Sequence, residues 1–454
     1  MSRMLLRLLP VVLASAGALR CQDPVVAERI TEARVREVVS WLAADERAGR
    51  DTGSPELEQT ADWLGERFAA AGLVPLPGGS WFHEYTLPGI GLDSRAVTLK
   101  LVRKVGDKSA EFVLEPDKDV RLLRPADLVS GEEECTVGLV DDPVLQRLID
   151  APSARRTAVL EVPAEHPFWK RAAGAHDRLG SVRGASRPVF LIRTGVLPAR
   201  SADQEVAWSA AWTVPAAEKK DVPLRNVTAT MPGTDKKDEF VVVSAHYDHI
   251  GTGRPVDGDA IYNGADDDAS GTTAVVLLSE ALAKMPPPRR TILFVCFSAE
   301  ERGLEGSAAF CKRPPVPREG IVANLNLEML GRPEPGKEGK AWITGSGYSD
   351  FADIAGAALK RGGVELIDFR MADQLFAASD NWSFVRHGIV AHSLSAGSLH
   401  SDYHRPSDEV ERLDIPHMTK VIRALVEVVR EFANRDARPE WNDEGKARIA
   451  RGKR

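Results

Sequence analysis

The chain has 454 residues, of which 43% are hydrophobic and 28% charged, with a formal net charge of −7 and a pI near 5.9. Such a composition describes a globular protein with room for a large core and two or three structural units, and the acidic balance excludes nucleic acid as an electrostatically favoured partner. The cysteines Cys21, Cys135, Cys296 and Cys311 stand at no metal-like spacing, so neither a disulfide framework nor a thiolate metal site is expected; any metal must be held by histidine and carboxylate.

The first 18 residues, MSRMLLRLLPVVLASAGA, carry early arginines, an apolar stretch from Leu8 to Ala14 and small residues at the end. This is the pattern of a signal peptide, and the apolar stretch is too short to span a bilayer. Export to the periplasm or the extracellular space is expected, with no transmembrane span in the mature chain. Cys21 offers an alternative lipid attachment, disfavoured by the bulky Arg20 before it. From 24 to 84 the pattern is helical: apolar residues recur every three or four positions in ITEARVREVVSWL, and Ser54-Pro55 opens a second helix.

From 85 to 222 the character becomes that of alternating strands, AVTLKLVRKV, TAVLEV and RPVFLIR among them, and reads as a β-rich insertion. From 223 to 435 strands alternate with helices: EFVVVSA, SGTTAVVLLSEALAKM, TILFVCFSA and IVANLNLEML precede a closing helix from Ile415. That order predicts an α/β fold with a mixed, mostly parallel central sheet flanked by helices. A polar, basic tail, 436–454, follows.

Chemistry collects where these apolar strands end. VVVSAHYDH delivers His246, Asp248 and His249; FSAEERG delivers Glu300 and Glu301; NLNLEML delivers Glu328. NGADDDASG sets Asp266, Asp267 and Asp268 at the entrance to a helix, and SLHSDYHRP sets Tyr403 and His404 in a loop. The three adjacent aspartates lack the alternating ligands and downstream bidentate Glu of a calcium hand. Several carboxylates and two histidines at successive strand ends concentrate charge that a bound cation would neutralise. Nitrogen and oxygen donors without thiolate suit zinc, with cobalt or manganese as other candidates.

These five motifs, in their order along the chain, resemble those of the co-catalytic di-zinc exopeptidases, the superfamily of secreted bacterial aminopeptidases, glutamate carboxypeptidase, glutaminyl cyclase and the transferrin receptor ectodomain. The resemblance covers about Asn226 to Asn434. It implies two zinc ions: His246 and Glu328 on one, Glu301 and His404 on the other, with Asp267 bridging both. It further implies Glu300 as general base and Tyr403 as hydrogen-bond donor to the oxyanion. Asp248, two residues after His246, is expected to accept the imidazole's other N–H, and His249 to pack or hydrogen-bond nearby. The family commonly has Asp where this chain has Glu328. The insertion occupies the place where relatives carry a protease-associated domain, without a clear motif match, and is expected to act as a lid or substrate filter. The implied activity is removal of residues from peptides with a free N-terminus. A glutaminyl-cyclase-like acyltransferase, which keeps one zinc, and a receptor-like binding protein without an intact metal centre are the alternatives.

Overall fold

The computed structural model describes residues 24–125, 129–139, 157–179, 187–199, 206–216 and 218–452. The leader-like segment and Cys21 lie outside them. Among the described residues no helix is long and apolar enough to cross a membrane, and Cys135, Cys296 and Cys311 are buried, free thiols.

A nine-stranded sheet organises the core. Its strands lie in the order Glu365–Leu366, Lys340–Ile343, Ala391–Ser395, Ile321–Leu327, Lys236–His246, Arg290–Phe297, Glu218–Met231, Phe82–Asp93 and Ala175–Leu179. At its centre Lys236–His246 runs parallel to both neighbours, with Val243 opposite Phe294 on one side and Leu325 on the other. The period-two alternation of these apolar strands feeds two cores. Val241, Val243 and Ala245 pack with the helices Glu32–Leu42, Pro55–Ala71, Gly271–Leu282, Phe351–Arg361 and Ile415–Asn434. Val242, Leu293 and Val295 pack on the opposite face with Phe310, Phe384 and Ile449. The fold is therefore helix, sheet, helix in three layers.

Local signals set the helix ends. Thr31 and Ser54 cap the first two long helices, their hydroxyls accepting from Arg34 N at 3.3 Å and Leu57 N at 3.1 Å. Gly72, with φ of 86°, closes the second in the left-handed conformation that glycine adopts without steric cost.

Within the stretch expected as an insertion, a separate seven-stranded sheet runs in the order Lys108–Leu114, Thr98–Val105, Ala207–Thr213, Ser130–Leu139, Thr157–Val162, Val189–Arg193 and Val120–Arg124. Its core is built from Leu99, Leu101, Phe190, Ile192 and Trp212. The flanking strand Phe82–Asp93 belongs instead to the main sheet, paired antiparallel along ten residues with Glu218–Met231. The stretch expected as a polar tail carries a helix, Asp443–Gly452, whose Ile449 is buried in the second core.

Candidate metal centre

The parallel register brings the chemistry together. His246 ends its strand opposite Phe297, and Ser244 lies opposite Asn326, so Glu328 and the 298–304 turn sit at the level of His246. This is the carboxyl edge of the sheet, where open α/β folds place ligands. Asp267 reaches the same point from the segment Ala265–Ser270, whose Asp267–Asp268 peptide is cis.

Asp267 stands between two histidines. Its Oδ1 is 3.2 Å from His246 Nε2 and its Oδ2 is 3.1 Å from His404 Nε2. Glu328 Oε1 lies 3.2 Å from His246 Nε2, and Glu301 Oε2 lies 3.4 Å from His404 Nε2. All five expected ligands thus meet, and they form two clusters that share Asp267. Potential ligand atoms of His246, Asp267 and Glu328 lie within 4.8 Å of one another, as do those of His249, Asp267 and Glu301. Asp267 Oδ2, Glu301 Oε1 and His404 Nε2 are buried atoms with no hydrogen bond. Orphaned acceptors and a lone pair converging on one point are costly unless a cation sits between them, and this donor set fits zinc.

The remaining carboxylates serve the backbone. Asp268 accepts from His246 N, Gly271 N and Met329 N at 3.3, 3.0 and 3.1 Å. Asp266 accepts from Gly331 N at 2.6 Å and meets His400 Nε2 at 3.2 Å. The role expected of Asp248 is corrected. His246 Nδ1 is bonded to the backbone carbonyl of Asp248 at 3.1 Å, whereas the carboxylate oxygen lies 3.7 Å away. That carboxylate is held by Glu300 N at 3.1 Å, Glu301 N at 3.4 Å and the Thr52 hydroxyl at 2.9 Å. Asp248 still orients the site, through the turn that carries both glutamates.

Glu300 and Tyr403 line one cavity with Asp267 and Glu328; its further walls include Met329, Trp342, Leu375, Ala378 and Leu399. The Tyr403 ring stacks on His404 at 3.9 Å between centroids. Burial and the carboxylates of Asp267 and Glu301 push its hydroxyl pKa up, so it stays neutral.

The ionisable groups respond to one another. Burial lowers the pKa of His246, but Glu300 and Glu328 more than reverse this and hold it well above its ordinary value. His404 is likewise pulled down by burial, yet Asp267 and Glu301 raise it to about 10. Against burial and the charge of Asp267, the neighbouring His249 and His404 draw Glu301 down to about 2. Glu300 moves the other way: burial raises it well above the usual carboxylate range, with Glu328, Asp380 and Glu301 adding and His246 opposing. A divalent cation would serve these carboxylates better than imidazolium does and would free the imidazole lone pairs.

Sequence reasoning missed Arg50 and Asp408, and it placed His249 near the site without giving it a role there. Arg50 is fully buried and donates to the carbonyls of Leu42, Tyr247, Asn263 and Gly264, tying the His246 and Asp267 loops together. Asp408 accepts from Asp266 N and Asp267 N at 3.1 Å. His249 is fully buried with its Nδ1 2.7 Å from Glu301 Oε1. Only His249 left a sequence signal, the His-x-x-His spacing from His246.

Residues 226–429 match the family model described as Peptidase family M28. A leucine aminopeptidase 1 from Ajellomyces dermatitidis is 30% identical over 225 residues, covering 46% of this chain and 57% of its own length. A probable leucine aminopeptidase from Trichophyton verrucosum is 28% identical over 203 residues, covering 42% and 53%. The chain thus spans about half the length of these curated relatives. A zinc aminopeptidase from Bacillus subtilis has the same fold, with a TM-score of 0.56 at 16% identity over 89% of this chain and 96% of that one. An aminopeptidase from Aneurinibacillus sp. strain AM-1 superposes with a TM-score of 0.50 at 19% identity, over 91% and 96%.

Proposed function

We propose that this chain is an exported, zinc-dependent aminopeptidase that removes residues from the free amino terminus of peptides. The observation that carries the reading is the division of Asp267, one oxygen toward His246 and the other toward His404, at 3.2 and 3.1 Å. His246, Asp267 and Glu328 would hold one ion; Asp267, Glu301 and His404 would hold the second. When bound, such ions polarise the scissile carbonyl and make water acidic near neutral pH.

The chain's own groups do the rest. Glu300, on the cavity wall, takes the proton of the attacking water and returns it to the leaving amine. Burial raises its proton affinity above that of an ordinary carboxylate, the direction that favours taking up the proton. Tyr403, neutral and fixed against His404, donates its hydroxyl hydrogen to the oxygen on which negative charge develops. Glu300 and Glu328 face the same cavity with carboxylates that would attract the substrate ammonium. The apolar walls suit an aliphatic first side chain, in keeping with relatives named leucine aminopeptidase. Trp342 is set in that wall by donating to Gly397 O at 2.9 Å and by stacking on Phe369 at 4.3 Å.

In this reading the insertion is anchored to the core beside the site rather than forming a wall of the cavity, whose lining residues all lie outside 85–222. Its Arg171 bonds Asp51 at 3.0 Å and the Thr252 hydroxyl at 2.6 Å, and Asp51 pairs through its backbone with His249. The glutaminyl-cyclase-like and receptor-like alternatives require an incomplete ligand set, and the meeting of all five ligands speaks against both.

Matched peptides test the direction of cleavage: one N-acetylated with a free carboxyl terminus, one with a free amine and an amidated carboxyl terminus. Release of the first residue from only the second is expected. Cleavage of only the first, from its carboxyl end, would overturn the aminopeptidase reading and leave the metal site standing.

A further inference from the structure

We infer that His249 is a fourth protein ligand of the second metal ion, joining Asp267, Glu301 and His404 through its Nδ1; the inference rests on the two-metal reading above. The case starts from what buried histidines require. A buried ring nitrogen without a partner forfeits a hydrogen bond it would have in water. His83, His392 and His417 are also buried, and each has a partner at both nitrogens: for His392 the Ser349 hydroxyl and Thr344 O, both at 2.7 Å, and for His417 Gly339 N at 2.8 Å and Ala396 O at 2.9 Å. His249 is fully buried and makes no hydrogen bond at either nitrogen.

Its surroundings show what the ring faces. Nδ1 lies 2.7 Å from Glu301 Oε1 and 3.7 Å from Asp267 Oδ2, and all three atoms lack a hydrogen bond. Nitrogen and oxygen this close, yet not aligned as donor and acceptor, are disposed like two ligands of one ion, with lone pairs directed at a third point. His404 has the same signature: its Nε2 is within 3.4 Å of Asp267 and Glu301 oxygens and is equally without a hydrogen bond. The two rings stand edge to face at 5.7 Å between centroids. A ligand at Nδ1 leaves the proton of the neutral ring on Nε2. The backbone fixes the ring in place, since His249 N donates to Arg50 O at 3.2 Å and a side chain at Gly264 would strike the imidazole at 2.5 Å.

The two sites are then unequal. Four protein donors would hold the ion at Asp267, Glu301, His404 and His249 and three the ion at His246, Asp267 and Glu328, so the two should differ in how readily they exchange.

X-ray absorption on the full chain loaded with zinc counts imidazoles directly. Three shared between two ions are expected, falling to two in His249→Ala. Chelator-competition titration should show one of the two zinc affinities weakened in His249→Ala and His249→Asn beyond the roughly ten- to hundred-fold that losing an outer partner of a ligand costs, with the other unchanged. Two zinc ions with only two imidazoles in the unaltered protein would overturn the inference alone. A single ion at saturation would instead sink the two-metal reading itself. The absorption measurement on the unaltered chain decides even if both variants fail to fold.

Discussion

The two sheets of this molecule treat charge in opposite ways. The seven-stranded sheet buries apolar side chains and keeps its ion pairs near the surface, as with Lys100–Glu111 and Lys118–Glu115. The nine-stranded sheet gathers His246, Asp248, His249, Asp266, Asp267, Asp268, Asp380 and Asp408 in or behind its carboxyl edge, all of them buried. Among the described residues Arg50 is the arginine buried with them, and burial draws it down to about 10 although Asp248 and Asp267 favour its charge. Burying so many carboxylates costs stability unless cations offset them. The core sheet carries that cost at the edge proposed to support a reaction, while among the described residues of the second sheet Glu161 is the buried carboxylate.

Substitution of Glu300 is the sharpest probe of that contrast. Glu300→Gln keeps the shape of the side chain and removes its capacity to accept a proton, so turnover should fall by about 10²–10⁴-fold. Zinc content should be unchanged by elemental analysis. Equal activity in the variant would show that the core's charge has some purpose other than proton transfer. Trp212→Ala makes the complementary test in the second sheet, where Trp212 is buried against Phe190. A loss of about 3–5 kcal/mol in the stability of that sheet is expected, with zinc stoichiometry retained. Loss of zinc would mean that the two regions unfold as one unit.

Buried histidine offers a third test, outside the metal centre. Burial draws His392 down to about 4, and its neutral ring satisfies both nitrogens. The unfolded chain takes up this proton near pH 6.5, the folded chain only near 4. The stability that His392 confers is therefore whole above about pH 7 and drains away as pH falls from about 6.5 to 4, by about 3 kcal/mol in all. Denaturant titrations at pH 7.5 and 4.5 should show a smaller acid loss in His392→Gln than in the unaltered protein. An identical loss would show that His392 is charged in the fold or does not contribute.

What the sequence made legible followed from period and position. Apolar runs ending in His246, Glu300 and Glu328 mark strand ends whatever their tertiary partners, whereas the choice of His246, Asp267, Glu301, Glu328 and His404 as ligands came from the resemblance of the five motifs to the di-zinc exopeptidases. Arg50 could be read from neither, because its partners are backbone carbonyls from distant segments, and carbonyls carry no residue signature. The carboxylate of Asp248 turned away from His246 because the 298–304 turn, with Ala299 at φ 58° and Leu304 at φ 63°, aims two N–H groups at it. The limits of the insertion were blurred for a related reason: Phe82–Asp93 alternates like its neighbours, and only its long-range pairing assigns it to the main sheet.

The smallest effect is expected at Glu328, and it asks how finely the core sheet is fitted to its own ligands. Glu328 Oε1 faces His246, while Oε2 accepts from the Ser379 hydroxyl at 2.6 Å and from Asn326 Nδ2 at 3.2 Å. Asn326 is itself bonded to Ser379 and Ser393, so the glutamate is supported by a connected set of buried polar groups. Glu328→Asp supplies the family's more common ligand but withdraws the carboxylate by one methylene from both His246 and Ser379. Because the supporting groups are placed for the longer side chain, zinc affinity at this site should fall by about tenfold, roughly 1.4 kcal/mol, with the second ion unaffected. Competition with a chelator measures both. An aspartate that binds zinc as tightly as the glutamate would show that Ser379 and Asn326 follow the ligand rather than fix it, and that this edge of the sheet is more pliable than its packing implies.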